Sequence, residues 1–514
     1  MIARVRSTAE RHPRLATAAG LTVLVGLSYL LRSQALWAKF WIDEGLSVGI
    51  AHHPLTDIPG VLQQDGAPPA YYLLLHLWID VAGGDGEART HAFSLLWALV
   101  AIPVTWWLGR RLFGTRSAWA SAALIATLPF LTYYAQETRM YAMAVVVGTL
   151  AAGTFAAAFA LRQRQLLPAF VIFGALAPYT HNWGLFLLAG CGLAWLVLLR
   201  LAEPGDRRGM ARDGLVAFAA IGVLYAPWLP TLLGQARETG APWAEVPDLE
   251  AILNILEVTA GGAVTGLAIT LVGLSGLARA RDTEPERIRA AIALGTVLLS
   301  AVLMAWIASQ GSPAWAGRYV AVLVGPAILL AGAGLMRAGT LGLVTLAVAL
   351  VLFWHPQERQ IKSKSDVFRV TRTLQDRGLI RPGDTVVSVH PEQGPVTRYY
   401  LGDGYRWADA LGPVSDPQVF DWRNALDRLE RTGPRSALAR IVPAVQPGQR
   451  LVVAFPLIRS GRWGAPWTEL VRRRSAQWQQ TLDHDPRFRE IARVPEFRYR
   501  RLPRGVRVVV YERR

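Results

Sequence analysis

The sequence contains a single cysteine, Cys191, set inside an apolar run. A disulfide framework and a thiolate metal cluster are therefore both excluded. Charge is sparse as well: only 18% of residues are Asp, Glu, Lys or Arg, and lysine is rare. Neither a Gly-rich phosphate loop nor a spaced metal-ligand motif is present. Arg4, Arg6, Arg11 and Arg14 precede the first apolar run, but no small-residue cleavage site of the Ala-x-Ala kind follows it. That run reads as a retained helix rather than a removed signal.

What the chain has instead is apolar length. Hydrophobic residues make up 52% of its 514 positions, and many of its 19 tryptophans stand near the ends of apolar runs, as in interfacial belts. Apolar segments fall at about 15–36, 90–109, 118–132, 140–161, 166–178, 184–199, 214–233, 255–278, 290–308, 319–336 and 339–354, which predicts a polytopic α-helical membrane protein of about eleven spans. The shortest, 118–132 and 166–178, are the least secure. With the N-terminus inside, the inner loops collect the arginine runs at 4–14, 110–116, 162–164, 200–212, 279–289 and 337. The outer loops hold isolated basic residues, namely Arg32, Lys39, Arg89, Arg139, Arg237 and Arg318. The bias follows the positive-inside rule. Few lysines and abundant Ala, Arg, Gly and Trp fit a high-GC bacterial genome, so the expected location is a bacterial cytoplasmic membrane.

Most of the +17 net charge lies in residues 357–514. Beside a membrane, such a tail meets anionic or phosphate-bearing lipids more naturally than nucleic acid. With an odd number of spans the tail is extracytoplasmic. Strand-like runs at 385–389, 451–455 and 506–511, with helical stretches at 364–378 and 466–482, predict a small α/β domain over 356–514 following a membrane module over 1–355. A lid or an acceptor-docking role suits it.

On this topology the unusual polar residues gather on the outer face. The first outer loop carries Asp43, Glu44, His52, His53 and Asp65, then Pro68-Pro69-Ala70-Tyr71-Tyr72. Later outer loops carry Tyr134 to Tyr141 with Glu137 and Arg139, then Tyr179-Thr180-His181-Asn182-Trp183, then Arg318-Tyr319. The plain reading of the aromatics is an interfacial belt, and of His52-His53 a wet loop. Arg139 and Arg318 are harder to dismiss, because they abut apolar spans on the side depleted of basic residues. A guanidinium fork suits phosphate or diphosphate. Carboxylates beside arginines at a membrane surface point to a lipid-linked phosphate substrate and a group to be deprotonated.

These residues, in this order, resemble the GT-C superfamily of integral-membrane glycosyltransferases. The specific likeness is to the bacterial branch similar to protein O-mannosyltransferases and lipid A aminoarabinose transferases. The likeness rests on Asp43-Glu44 after the first span, Pro68-Pro69-x-Tyr71-Tyr72, Leu-Gly-Arg-Arg-Leu-Phe-Gly at 108–114, Tyr134-x-x-Glu137-x-Arg139-x-Tyr141 and Arg318-Tyr319, and covers residues 15–355. It implies a polyprenyl-phosphate-linked sugar donor, hexosyl or pentosyl, and inverting transfer on the outer face to a hydroxyl of a cell-envelope glycan, lipid or protein. It also implies Asp43 as general base, with Glu44 beside it in the catalytic pair. Arg139, Arg318 and His181 would hold the donor phosphate, and Asp65, Tyr71, Glu137, Tyr141 and Tyr319 would contact substrate. Glu44, Asp65 and Glu137 are alternatives for orienting the acceptor, fixing an arginine or holding a divalent cation, which is the one cofactor left open. The competing reading is a lipid-linked sugar or polysaccharide flippase, which would favour mid-span charges and internal repeats. A polymer ligase using a lipid-diphosphate donor would need a larger late outer loop.

Overall fold

The computed structural model describes residues 13–355, 357–362, 364–457, 464–494 and 505–514. Arg4, Arg6 and Arg11 of the charge-bias argument lie outside the described residues. Every apolar segment expected to span becomes helical, but the count of full-length spans is lower than eleven. Among the described residues seven helices are long and apolar enough to cross a membrane, from Pro13–Arg32 to Gly317–Arg337. The pair Glu250–Ala260 and Ala263–Arg279, bent by 92°, makes an eighth if taken as one span. Three segments fall short: 339–354 as the 14-residue helix Thr340–Phe353, and the two with the weakest signal for local reasons. Thr115–Thr127 stops at Leu128-Pro129, since proline disfavours a helical residue before it. Leu167–Thr180 is only 14 residues long and ends where His181 turns extended. The chain is a multi-pass membrane protein with the fold class expected of it.

From Thr385 the chain builds a six-stranded sheet in the order β3-β2-β1-β4-β6-β5. β1 (Thr385–Ser388) pairs in parallel with β2 (Arg406–Asp409) on one side and β4 (Arg450–Leu457) on the other. β3 (Gly412–Pro413), β5 (Phe488–Val494) and β6 (Gly505–Arg513) add antiparallel pairings. β1, β4 and β6 are the strands predicted from apolar runs. β2, β3 and β5 are short or half-exposed and charged, so they carry no such run.

Alternation across the pleat divides the apolar residues between two layers. Val387, Leu451, Val453 and Phe455 pack on one face with Trp467 and Trp478. Val386, Val452, Ala454 and Val508 pack on the other, and that layer also takes in Phe40 and Val48 from the membrane module. The Ile42–Ala51 helix is thus part of the sheet domain's own core. Its docking face is cut to the backbone: a Cβ on Gly45 would fall 2.5 Å from Val396 Cα, and one on Gly49 would fall 1.9 Å from the Gln418 carbonyl oxygen. Residues four apart share one face of a helix, so Gly45 and Gly49 form one groove for the incoming domain. The helix that carries Asp43 is clamped by both halves of the chain.

Candidate active site

Asp43 and Glu44 both sit in the first turn of the Ile42–Ala51 helix. Successive residues on a helix point about 100° apart, so the two carboxylates cannot share a direction. Asp43 lines a cavity of about 340 Å³ at the junction of the membrane module and the sheet domain. Glu44 does not. Its side chain is fully buried and accepts from the Thr138 amide (2.9 Å), the Trp41 amide (3.3 Å) and His91 Nε2 (2.6 Å). Lys364, at the entry to the sheet domain, completes the set at 2.5 Å. Burial alone would push this carboxyl up, but Lys364 and then His91 hold it down at about 2. Glu44 is therefore a charged joint between the Ile42–Ala51 helix, the Glu87–Phe113 span and the chain leading into the sheet domain.

Asp65, Arg139, His181, Arg318 and Tyr319 all line the cavity with Asp43. Asp65 closes the Ile58–Asp65 helix, which Gly66 ends with a φ of 89°, a left-handed conformation that glycine adopts without strain. Asn182 Nδ2 bonds the Gly66 carbonyl at 3.1 Å and ties this turn to the loop carrying His181. Burial, reinforced by Asp43 and opposed by Arg139, raises the Asp65 carboxyl to about 6.

The two arginines are held by neutral groups. Arg139 Nη1 donates to Ser47 Oγ (3.1 Å), Tyr72 hydroxyl (3.4 Å) and the Asp43 carbonyl (3.4 Å), and its buried Nε has no partner among the described residues. Arg318 Nε donates to the Tyr141 hydroxyl at 2.8 Å, and its guanidinium lies over Trp243 and Tyr319. Its nearest carboxylate oxygen among the described residues is Asp43 Oδ2, at 3.8 Å. Two cations with so little local charge compensation make a ready site for an anion.

His181 sits between the rings of Tyr141 and Tyr319. Its Nδ1 accepts the Trp183 amide at 3.1 Å, which leaves Nε2 as the protonated nitrogen. Burial, then Arg139 and Arg318, lower its pKa to about 3, so at neutral pH it is an uncharged donor.

The remaining predicted residues stand behind the wall. Tyr141 orients Arg318. Glu137 accepts from Trp41 Nε1 at 2.5 Å and so holds the residue that precedes the Ile42–Ala51 helix. Tyr71 is buried between Tyr72 and Phe93. His52 and His53 pair with Asp85 and Asp416, at 3.0 and 2.8 Å, the second across the junction with the sheet domain. Sequence reasoning missed Lys364 and His91, because a lone lysine in a linker carries no pattern. It also missed His390, Glu392 and Gln393, which line the cavity from the sheet domain. Their position just after a predicted parallel-sheet strand was the available signal. No group of three or more His, Cys, Asp or Glu able to hold a metal ion occurs among the described residues.

No protein-family model matches the chain, and no curated protein matches its sequence. Solved structures do match. ArnT from Cupriavidus metallidurans aligns over 96% of this chain and 98% of its own in the apo state, with 12% identity and a TM-score of 0.59. The same protein bound to undecaprenyl phosphate aligns over 96% and 97%, with 13% identity and a TM-score of 0.59. The archaeal oligosaccharyltransferase AglB from Archaeoglobus fulgidus, in complex with an inhibitory peptide and a dolichol-phosphate, aligns over 86% of this chain and 70% of that one, at 12% identity and a TM-score of 0.55. The arabinofuranosyltransferase AftD from Mycobacteria aligns over 97% of this chain and 40% of that one, at 14% identity and a TM-score of 0.55.

Proposed function

We propose that this chain, which has the GT-C fold of integral-membrane glycosyltransferases, moves a sugar from a polyprenyl-phosphate donor to an acceptor hydroxyl. Transfer takes place on the outer face of a bacterial cytoplasmic membrane, with inversion at the anomeric carbon. One observation carries this reading: a carboxylate in loose contact with one guanidinium, a second arginine and a neutral histidine donor converge in one cavity where the membrane module meets the sheet domain. That ArnT has been solved with undecaprenyl phosphate and AglB with a dolichol-phosphate agrees with a polyprenyl carrier.

In the proposed step the acceptor oxygen attacks the anomeric carbon while Asp43 takes its proton. The bond from that carbon to the phosphate oxygen breaks, and its electron pair leaves on the phosphate. Arg139, Arg318 and His181 Nε2–H receive the growing negative charge. No general acid is needed, because the leaving phosphate is stable as an anion, and Asp43 later passes its proton to solvent. Asp65 and Tyr319 position the substrates. Glu44, Glu137, Tyr71 and Tyr141 act as positioning residues behind them. The acceptor belongs to a cell-envelope glycan, lipid or protein.

The test is consumption of labelled hexosyl and pentosyl polyprenyl phosphates by the full-length protein in nanodiscs. The expected result is turnover of one donor with release of polyprenyl phosphate. Transbilayer movement of labelled lipid with no donor consumed would replace the transferase by a transporter.

A further inference from the structure

The open sheet has one point at which its chain order reverses. After β1 the chain returns through the Gly394–Leu401 helix to β2 on one side, and later places β4 on the other. In open α/β sheets the crevice beyond the carboxyl ends of the strands flanking such a point is where ligands bind. Here that crevice opens into the candidate active site. His390, Glu392 and Gln393 follow β1, Pro456 and Leu457 end β4, and all five line the cavity that Asp43 lines from the opposite side.

The polar groups there keep unused hydrogen-bonding capacity. His390 Nε2 and Trp467 Nε1 both engage Glu392 Oε1, at 2.9 and 2.5 Å. That leaves Glu392 Oε2 to accept, and leaves His390 Nδ1 for a further hydrogen bond. Gln393 is 2% exposed, and its Oε1, like His390 Nδ1, is buried without a partner among the described residues. Buried polar atoms without partners are costly, so atoms left in this state point to a ligand that bonds with them. The Glu392 carboxylate disfavours an anion, and a carboxylate, a carboxamide and an imidazole together suit several hydroxyls at once. A peptide strand offers one N–H per residue and brings a carbonyl that needs a donor of its own. The indoles of Trp243 and Trp422 line the same space and can meet the C–H faces of a sugar ring.

We propose that the crevice at the carboxyl ends of β1 and β4 is the acceptor subsite, and that it binds a neutral sugar whose hydroxyl is thereby presented to Asp43. This rests on the glycosyltransferase reading for the word acceptor, but not for the binding of a sugar. The sugar is either the headgroup of a glycolipid or a residue of a glycan.

The experiment measures binding to the full-length protein in nanodiscs by saturation-transfer NMR. The probes are methyl pyranosides and furanosides, their dodecyl counterparts, a trisaccharide and a Ser/Thr-containing peptide. We expect a glycoside to bind, and Gln393→Ala or Glu392→Gln to weaken it about tenfold or more. The exposed-strand control Arg489→Gln should behave as wild type, and all variants are compared at matched thermal unfolding. Tighter binding of the dodecyl form assigns a glycolipid, and tighter binding of the trisaccharide a glycan; either supports the subsite. Peptide binding without glycoside binding overturns it, as does glycoside binding indifferent to both substitutions. Donor consumption alongside that indifference would retain the transferase and remove the subsite. Gln393-dependent glycoside binding with no donor consumed would retain the sugar site and remove the transferase.

Discussion

Arg318 reaches Asp43 Oδ2 at 3.8 Å while its Nε is committed to the Tyr141 hydroxyl at 2.8 Å. The geometry is too long for a tight ion pair, so the carboxylate stays available as a base and the guanidinium as an anion site. The aromatic faces of Trp243 and Tyr319 fix the guanidinium plane.

Arg318→Lys should therefore fail even though it keeps the charge. A lysine cannot donate along the Nε direction to Tyr141 and still present a planar fork to phosphate. We expect donor turnover to fall by about 10²–10³ in kcat, the usual loss for one donor to a developing anion. Tyr141→Phe should lose less, about tenfold. Steady-state kinetics on both variants check the order.

Glu44 should prove to be a joint whose loss is felt in stability before chemistry. Removing one member of a buried ion pair costs about 3–5 kcal/mol, and Glu44→Gln leaves Lys364 charged in a closed site. Thermal unfolding should drop and the 357–367 segment should exchange its amides faster. Adding Lys364→Met should recover much of the loss. The pH sign follows from the lowered Glu44 pKa: its contribution is complete above the ordinary carboxyl value of 4.5 and is lost as pH falls toward about 2. Hydrogen exchange across that interval checks it.

Asp65 behaves in the opposite sense. Its carboxyl is raised to about 6 from an ordinary 3.8, so the fold favours the protonated form and stability falls as pH rises between those values. Asp65→Asn should be more stable than wild type at pH 8, by on the order of 1–2 kcal/mol. It should also lose the acid limb near pH 6 in its rate profile if the ionised carboxylate positions substrate. A pH–rate profile together with melting curves at pH 5 and pH 8 separates the two effects.

His181 is expected to contribute no inflection to that profile between pH 5 and 8, since burial keeps it neutral there. Substituting phenylalanine removes the Nε2–H donor and should lower kcat by about 10–100-fold without adding or removing a titration.

Much of this candidate site was legible in the sequence, because the expected topology gathers its residues on one face, where the charge bias makes arginines unusual. Arg139 and Arg318 stood out against that bias, Asp43, Asp65, His181 and Tyr319 took their roles from the family resemblance, and all six line one cavity. Adjacent carboxylates gave no hint of which would face it, since the rotation of a short helix is set by what packs on it. Here Gly45 and Gly49 seat the sheet domain and send Glu44 to Lys364. The apolar runs at 118–132, 166–178 and 339–354 form helices of only 13 or 14 residues, because an apolar run predicts burial as readily as membrane length. The share of the sheet domain in the cavity depended on strand order, which no local pattern encodes.

The most direct test of the account is the donor assay on Asp43→Asn, which keeps the side chain's shape and removes its basicity. The account predicts that the variant binds the donor that wild type consumes, with affinity within about threefold, and that turnover falls by about 10²–10⁴. Wild-type turnover by Asp43→Asn would contradict it and move the search for the base to Asp65.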